Sequence, residues 1–322
     1  MVIVFADLHH SDLYESFRLL FEKRLGWQLF RPIGMDWFYQ GYWKIAEPYG
    51  NHPDTVKQFL GLDNGPWDCY KNLNGNYKLD DGIYYVWDPV HEVHQKAITL
   101  EKFKELPVDI VISSIPSYYY SFEKLIQDHK PKAKHIAHMG NNFWNTDVKN
   151  VMCSMTTFTP ANHKNVVFYH QEFDLNTFVY SPVVNYQYIT SFVNLLPRSD
   201  LYNHYSYHLP EFNFLACGMG CPDGTITGLQ KIARLMRNST FGWHVKPGGD
   251  GYGHIWHNWY ACGRPIITDF NDYRGKMGGL LFEDGVTGID IGNCSIEAGV
   301  AKIRFYSKPW NYEKMSKKAY VS

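Results

Sequence analysis

Short unbroken apolar runs alternate along this chain with stretches of helical spacing. Val2–Ala6 is such a run, as expected of a strand buried on both faces. After a turn at Asp7–Ser11, the residues Leu13, Phe17, Leu20, Phe21 and Leu25 mark one helix face, with Asp12 as its cap and Gly26 as its stop. Trp27–Ile33 reads as a second strand. The rhythm then lapses from Gly34 to Pro107, a segment dense in Trp, Tyr, Asn and Gly, where only Asp81-Gly82 before Ile83–Trp87 signals a turn into a strand. This aromatic stretch reads as an insert.

The rhythm resumes at Asp109–Ser114, a strand, followed by a helix through Phe122–His129. His135–Asn142, Val151–Phe158 and Val166–His170 read as further strands, and Val179–Tyr188 as a linker. The second half repeats the pattern. Ile189–Leu195 and Phe212–Cys217 are strands, and Thr225–Arg237 is a helix with Ile226, Leu229, Ile232, Ala233 and Met236 on one face. Glu297–Ser307 and Tyr312–Tyr320 read as closing helices. Repeated strand–helix alternation over 322 residues predicts an α/β chain of two domains.

Composition adds little to this picture. The chain is 45% hydrophobic, 20% charged and 17% aromatic, with a net charge of −1. No global basic field exists to hold nucleic acid or an anionic membrane, although a local patch is compatible with these totals. Six cysteines without any C-x-x-C spacing argue against structural zinc and a disulfide framework. Met1–His10 lacks a basic region and a cleavage site, and no apolar run approaches the ~20 residues of a membrane span. The expectation is a cytoplasmic protein with reduced thiols.

Candidate chemistry concentrates in His244–Asp269. The apolar run Phe241–Val245 ends in Lys246-Pro247, and a turn with Gly248, Gly249, Gly251 and Gly253 follows. His254–Cys262 has helical character, Gly263 stops it, and Pro265–Thr268 is strand-like. Strand, glycine turn and helix N-terminus form a phosphate cradle, to which Lys246 adds a full charge. The competing reading is a plain α/β turn packed on a sheet. In the first half, the turn after Val2–Ala6 carries His9 and His10 at the end of a strand where α/β folds place ligands. Either histidine is a candidate general base, or an ordinary solvated loop residue.

Asp250-Gly251-Tyr252-Gly253 followed by Ala261-Cys262-Gly263-Arg264-Pro265-Ile266-Ile267 resembles the donor-binding segment of GT-B glycosyltransferases, E-G-F-G, then a helix with a second Glu, then A-x-G-x-P-V-I. Asp250 stands where that pattern has its first Glu and Asn258 where it has its second. Gly278–Ile289 resembles the family's G-x-L-x-x-D-G-x-T-G, and Asp109–Ser117 its D-I-V-x-x-x-x-P strand. His138 matches a strand-end histidine, and His170–Phe178 resembles the N-G-V-D-x-x-x-F segment that closes the first domain. There Glu172 and Asp174 are candidate acids, Asp174 reading best as a hinge cap.

The resemblance implies two Rossmann-like domains facing across a cleft. Residues 1–180 form an acceptor-side domain with the aromatic insert 34–107, and 181–322 a nucleotide-sugar donor domain. It implies metal-independent glycosyl transfer, of the hexosyltransferase type, from a nucleotide sugar such as a UDP- or GDP-sugar, without a further cofactor; its motifs lean toward the retaining branch and leave both stereochemical outcomes open. Donor-binding residues are then Arg198, Lys246, Asp250, Gly251, Tyr252, Gly253, His254 and Asn258, with Arg264 an alternative cation. His138, His10 and His9 are the catalytic candidates. The family's G-R-x-x-x-K-G pattern is absent, so Arg198 is assigned as the arginine near the first strand of the second domain, with a salt link to Asp200 or Glu211 as its plain alternative. The acceptor is a saccharide, a small molecule or modified DNA. The last corresponds to a viral enzyme acting on a hydroxymethylated base in a host cytoplasm, a reading suggested by the aromatic insert. A nucleotide-sugar epimerase and an inactive nucleotide-sugar binding module, the latter suggested by Asn258, share the fold.

Overall fold

The structure of the protein, a computed structural model, describes residues 1–7, 11–33, 77–80, 82–88, 91–114, 116–139, 148–153, 165–183, 186–250 and 253–322. His9, His10 and the aromatic stretch 34–76 lie outside the described residues. The described chain falls into two compact units, divided between Glu172 and Phe173.

In the first unit the run Val2–Ala6 forms β1, buried throughout. Its alternate residues serve opposite faces. Val2, Val4 and Ala6 pack with Phe103, Phe122 and Leu125, whereas Ile3 and Phe5 pack with Leu13, Phe17 and Phe21. A strand enclosed on both sides needs no polar alternation, hence the continuous apolar sequence. Helix α1 (Ser11–Phe17) begins one residue before the expected cap Asp12 and continues as a π-helical segment over Arg18–Arg24. Gly26, at φ 68°, ends it.

The other strands are β2 (Gln28–Pro32), β3 (Tyr77–Asp80), β4 (Ile83–Asp88), β5 (Val93–Ile98), β6 (Ile110–Ser113), β7 (Lys134–Met139), β8 (Asn150–Cys153) and β9 (Asn165–Phe168). They order as β3-β4-β5-β2-β1-β6-β7-β8-β9. This corrects the reading of 34–107 as an insert throughout. Strand β5 pairs in parallel with β2, and β4 and β3 extend the sheet antiparallel from it. Helix α2 (Leu100–Glu105) follows, its start set by the Thr99 hydroxyl accepting the Lys102 N–H. Helix α3 (Pro116–His129) links β6 to β7.

The second unit has a parallel sheet of β10 (Tyr188–Phe192), β11 (Asn213–Cys217), β12 (Phe241–Trp243), β13 (Ile266–Thr268) and β14 (Gly288–Asp290), ordered β11-β10-β12-β13-β14. Its helices are α4 (Ser199–His208), α5 (Leu229–Asn238), α6 (His254–Ala261), α7 (Ile296–Ser307) and α8 (Pro309–Val321). The order reverses between β10 and β12, a topological switch point whose carboxyl edge is the usual ligand position of open α/β sheets. Helix α5 starts at Leu229 rather than Thr225, because its cap Gly228 sits at φ 96° and breaks the helical path.

Aromatic residues fill this core. Trp243, Trp256 and Trp259 are fully buried, and Trp243 meets Tyr202 and Tyr205 at ring distances of 5.6 and 5.3 Å. Gly242 is required by the packing: a Cβ there would lie 2.7 Å from the Trp259 indole. The variant Gly242→Ala should lose about 1–3 kcal/mol of stability through overpacking. A urea unfolding curve checks this, and an unchanged midpoint would show that the helix bearing Trp259 can retreat.

Candidate functional site

Three chain segments leave the carboxyl ends of adjacent strands in the second unit: one after β10, one after β12 and one after β13. The first carries Leu195 at φ 58° and Arg198 at φ 52°. Two non-glycine residues in the left-handed region within one loop is an uncommon arrangement, costing on the order of 1–2 kcal/mol each. Arg198 precedes the first turn of α4, and its guanidinium Nη1 donates to Asp269 Oδ2 at 2.9 Å. Asp269 follows β13 and also accepts the Asn271 N–H through Oδ1. The salt link to Asp200 or Glu211, the plain alternative for Arg198, is therefore not the one formed. Asp200 lies in the first turn of α4, where the helix dipole favours an acid, and Glu211 pairs with Arg304 at 2.6 Å.

The segment after β12 holds a second cation–carboxylate pair. The Lys246 ammonium contacts Asp250 Oδ1, while His244 Nε2 lies 3.2 Å from Asp250 Oδ2. Burial pushes the Asp250 carboxyl up, but its hydrogen bond with His244 and the neighbouring Lys246 charge outweigh this and hold it well below the usual carboxylate range. His244 is itself buried, its ring 5.8 Å from that of Tyr273. The turn is clasped from beneath: the Gly248 N–H donates to Asp272 Oδ1 at 2.9 Å, and Gly248 and Gly249 have φ of 72° and 55°. Gly253, at φ 73°, caps α6 and, having no side chain, offers its helix end no side-chain cap. Gly251 and Tyr252 lie outside the described residues.

Helix α6 presents His254 and His257 to Phe173, with ring centroids 4.7 and 4.4 Å away. Asn258, one turn beyond His254, is buried between Trp256 and Trp259 in the sequence of the helix. Asp269, Asp272 and His244 escaped the sequence reading as site components. The signal for Asp269 was its place directly after the apolar Ile266–Thr268 run; the other two had none beyond nearness to the glycine turn.

In the first unit, His138 near the end of β7 is buried, with Nε2 2.6 Å from the Tyr169 hydroxyl and its ring set edge-on to Phe17. His135 on the same strand stacks on Tyr119 at 3.9 Å and is pushed down to about 3 by burial. It stays neutral at ordinary pH. Asp174 caps a turn, accepting the N–H groups of Asn176 and Thr177. Glu172 pairs with Arg24 at 2.5 Å.

Arg264 is not available to a ligand. It is fully buried at the amino end of β13, the opposite edge from the glycine turn. Its guanidinium donates to the carbonyls of Ser181, Cys262, Gly263 and Arg237 and to the Ser181 hydroxyl. Among the described residues no group of His, Cys, Asp and Glu is arranged to hold a metal ion.

No family model matches the sequence, and no curated protein is similar to it. Solved structures are similar in three dimensions. HepE of Anabaena, in complex with UDP-glucose, superposes with a TM-score of 0.60 at 12% identity, covering 100% of this chain and 94% of that one. A glycosyltransferase from Rickettsia africae gives 0.59 at 12% identity, covering 99% and 92%. At such identities the likeness establishes the fold alone, and that fold is GT-B over the whole chain.

Two outcomes follow from these contacts. Arg264→Met keeps much of the side-chain volume but leaves the buried carbonyls unanswered, and should cost on the order of 3 kcal/mol. Chemical denaturation measures it; a loss below about 0.5 kcal/mol would mean water replaces the guanidinium. For Asp250 the folded carboxyl is depressed, so its contribution is present above the unfolded value near 3.9 and is lost as pH falls through the folded value. Asp250→Asn should therefore be less stable than wild type at neutral pH, by on the order of 1 kcal/mol. The difference should shrink in acid below about pH 4. A gap that is constant across the range contradicts the ion-pair account.

Proposed function

We propose that the chain is a glycosyltransferase that moves a sugar from a nucleotide-sugar donor, a uridine or guanosine diphosphate sugar, to an acceptor. The observation that carries this reading is the placement of Arg198, Lys246 and the N-terminus of α6 after the carboxyl ends of adjacent strands at a switch point. That is where a diphosphate meets two cations and a positive dipole end together. HepE, which shares the fold, was crystallised with UDP-glucose, and this supports uridine as the first base to try.

In this reading Arg198, Lys246 and the backbone at Gly251, Tyr252, Gly253 and His254 hold the diphosphate. As the glycosidic bond breaks, negative charge grows on the leaving group, and fixed cations and N–H dipoles favour that state over the bound donor. Each cation is held beforehand by an aspartate, Asp269 for Arg198 and Asp250 for Lys246. The pairs fix the cations in position, and the incoming diphosphate shares or displaces the carboxylates. Asp250 and Asn258 offer oxygen acceptors for sugar and ribose hydroxyls. On the acceptor side His138, His10 and His9 are the candidates for the group that takes the acceptor proton. Transfer proceeds without a bound metal ion.

The test is a thermal-shift and hydrolysis screen with UDP-glucose and a panel of other uridine and guanosine diphosphate sugars. One donor should raise the melting temperature and be slowly hydrolysed. Lys246→Ala and Arg198→Ala should each weaken its binding about tenfold or more. If no nucleotide sugar shifts the melting temperature, the reading falls.

A further inference from the structure

The last two helices carry a charge distribution unlike the rest of the chain. Residues 302–322 contain six of its 31 lysines and arginines but one of its 32 acids, Glu313. The remainder of the chain is thus net acidic, at −6, while this segment is +5. The folding of α8 sorts these residues by face. Tyr312, Met315, Ser316 and Ala319 are buried against the unit. Trp310, Lys314, Lys317 and Val321 follow at i, i+4, i+7 and i+11 along the opposite side, so they form one outward ridge.

That ridge is apolar as well as basic. Trp310 is 80% exposed, Val321 73% and, at the corner with α7, Phe305 51%. Lys308 lies between Phe305 and Trp310 in sequence, with its ammonium 6.0 Å from the Phe305 ring. Lys317 pairs with Glu313 at 2.7 Å, whereas Lys308, Lys314 and Lys318 have no ion pair among the described residues. A solvated helix face needs lysines but not an exposed tryptophan, valine and phenylalanine beside them. Tryptophan flanked by lysine is the pairing favoured where hydrocarbon meets charged headgroups: the indole settles at the boundary and the lysine stems lie along it with their charges outward.

We propose that the outward face of α8, with the α7–α8 corner, docks on the surface of an anionic lipid bilayer, with Trp310, Phe305 and Val321 entering the headgroup region and Lys308, Lys314 and Lys318 meeting lipid phosphates. Among the described residues no helix is long and apolar enough to cross a membrane, so the contact is peripheral. Nucleic acid fits the ridge less well. Its phosphates would satisfy the lysines, but they give Val321 and Phe305 no apolar medium, and the ridge carries neither the arginines nor the succession of aromatic rings that single strands stack on. Helix α8 also packs on α6, the helix that begins at the glycine turn, so a docked protein would have its candidate site anchored to the same surface.

The experiment is co-sedimentation of the full chain with vesicles of phosphatidylcholine alone or mixed with phosphatidylglycerol, at low and at high salt. Wild type should pellet with the mixed vesicles only, and less so in salt. Trp310→Ala should weaken partitioning about tenfold, and the double variant Lys314→Glu/Lys318→Glu should abolish it, with unchanged melting temperatures for both because these side chains face water. The proposal is overturned if wild type ignores anionic vesicles, if it pellets equally with neutral ones, or if neither variant changes binding. Retention on duplex or single-stranded DNA that the variants lose, without vesicle binding, would overturn it in favour of a nucleic-acid surface.

Discussion

A guanidinium removed from water has to have its donors answered, and in this protein that demand ties the second unit together. Arg264 is fully buried, and among the described residues it has no carboxylate partner; its Nη1 and Nη2 groups are met by carbonyls and the Ser181 hydroxyl instead, while its Nε–H has no hydrogen-bond partner. Those carbonyls are of a particular kind. Arg237 lies in the last turn of α5, and Cys262 and Gly263 close α6, so both are places where a helix runs out of internal donors. One side chain thus serves two helix ends, where the dipoles favour a cation, and it fastens the incoming segment at Ser181 to both. Because α6 is held at its carboxyl end, its amino end is held at the glycine turn.

The same corner shows how a family-like string can be understood locally. The Gly263 N–H reaches the Tyr260 carbonyl and the Arg264 N–H reaches that of Trp259, with Gly263 at φ 70°. This is a Schellman closure, which glycine allows and which the following Pro265 keeps from extending. A likeness seen in Ala261–Ile267 therefore has a mechanical content that any sequence with a helix, a left-handed stop and a buried strand must satisfy.

Parallel strands such as β1 and β6 were legible from the sequence because apolar runs such as Val2–Ala6 and Ile110–Ile112 have no other favourable place than between two covered faces. The turn and helix of Lys246–Ala261 were legible because glycine spacing and helical periodicity act over a few residues. What escaped was long-range. Arg198 chooses Asp269, 71 positions away, over the nearby Asp200, since its left-handed backbone aims the side chain along the carboxyl edge of the sheet. Strand β5 was missed because Val93–Ile98 mixes polar and apolar residues; it is recognised by its pairing with β2, not by its own pattern. The burial of Arg264 is invisible in a string where arginine usually means surface.

The tryptophans of the second unit's core carry a signal of their own. Trp243, Trp256 and Trp259 are wholly enclosed in the second unit, among tyrosines and phenylalanines and without water at their indole rings. Indole emission shifts to the red when water reaches it, so this core carries a built-in optical reporter. It stands apart from Trp27 and Trp87 of the first unit, which are only partly covered. Opening of that core to water can therefore be watched by the colour of its tryptophan emission as well as by loss of ellipticity.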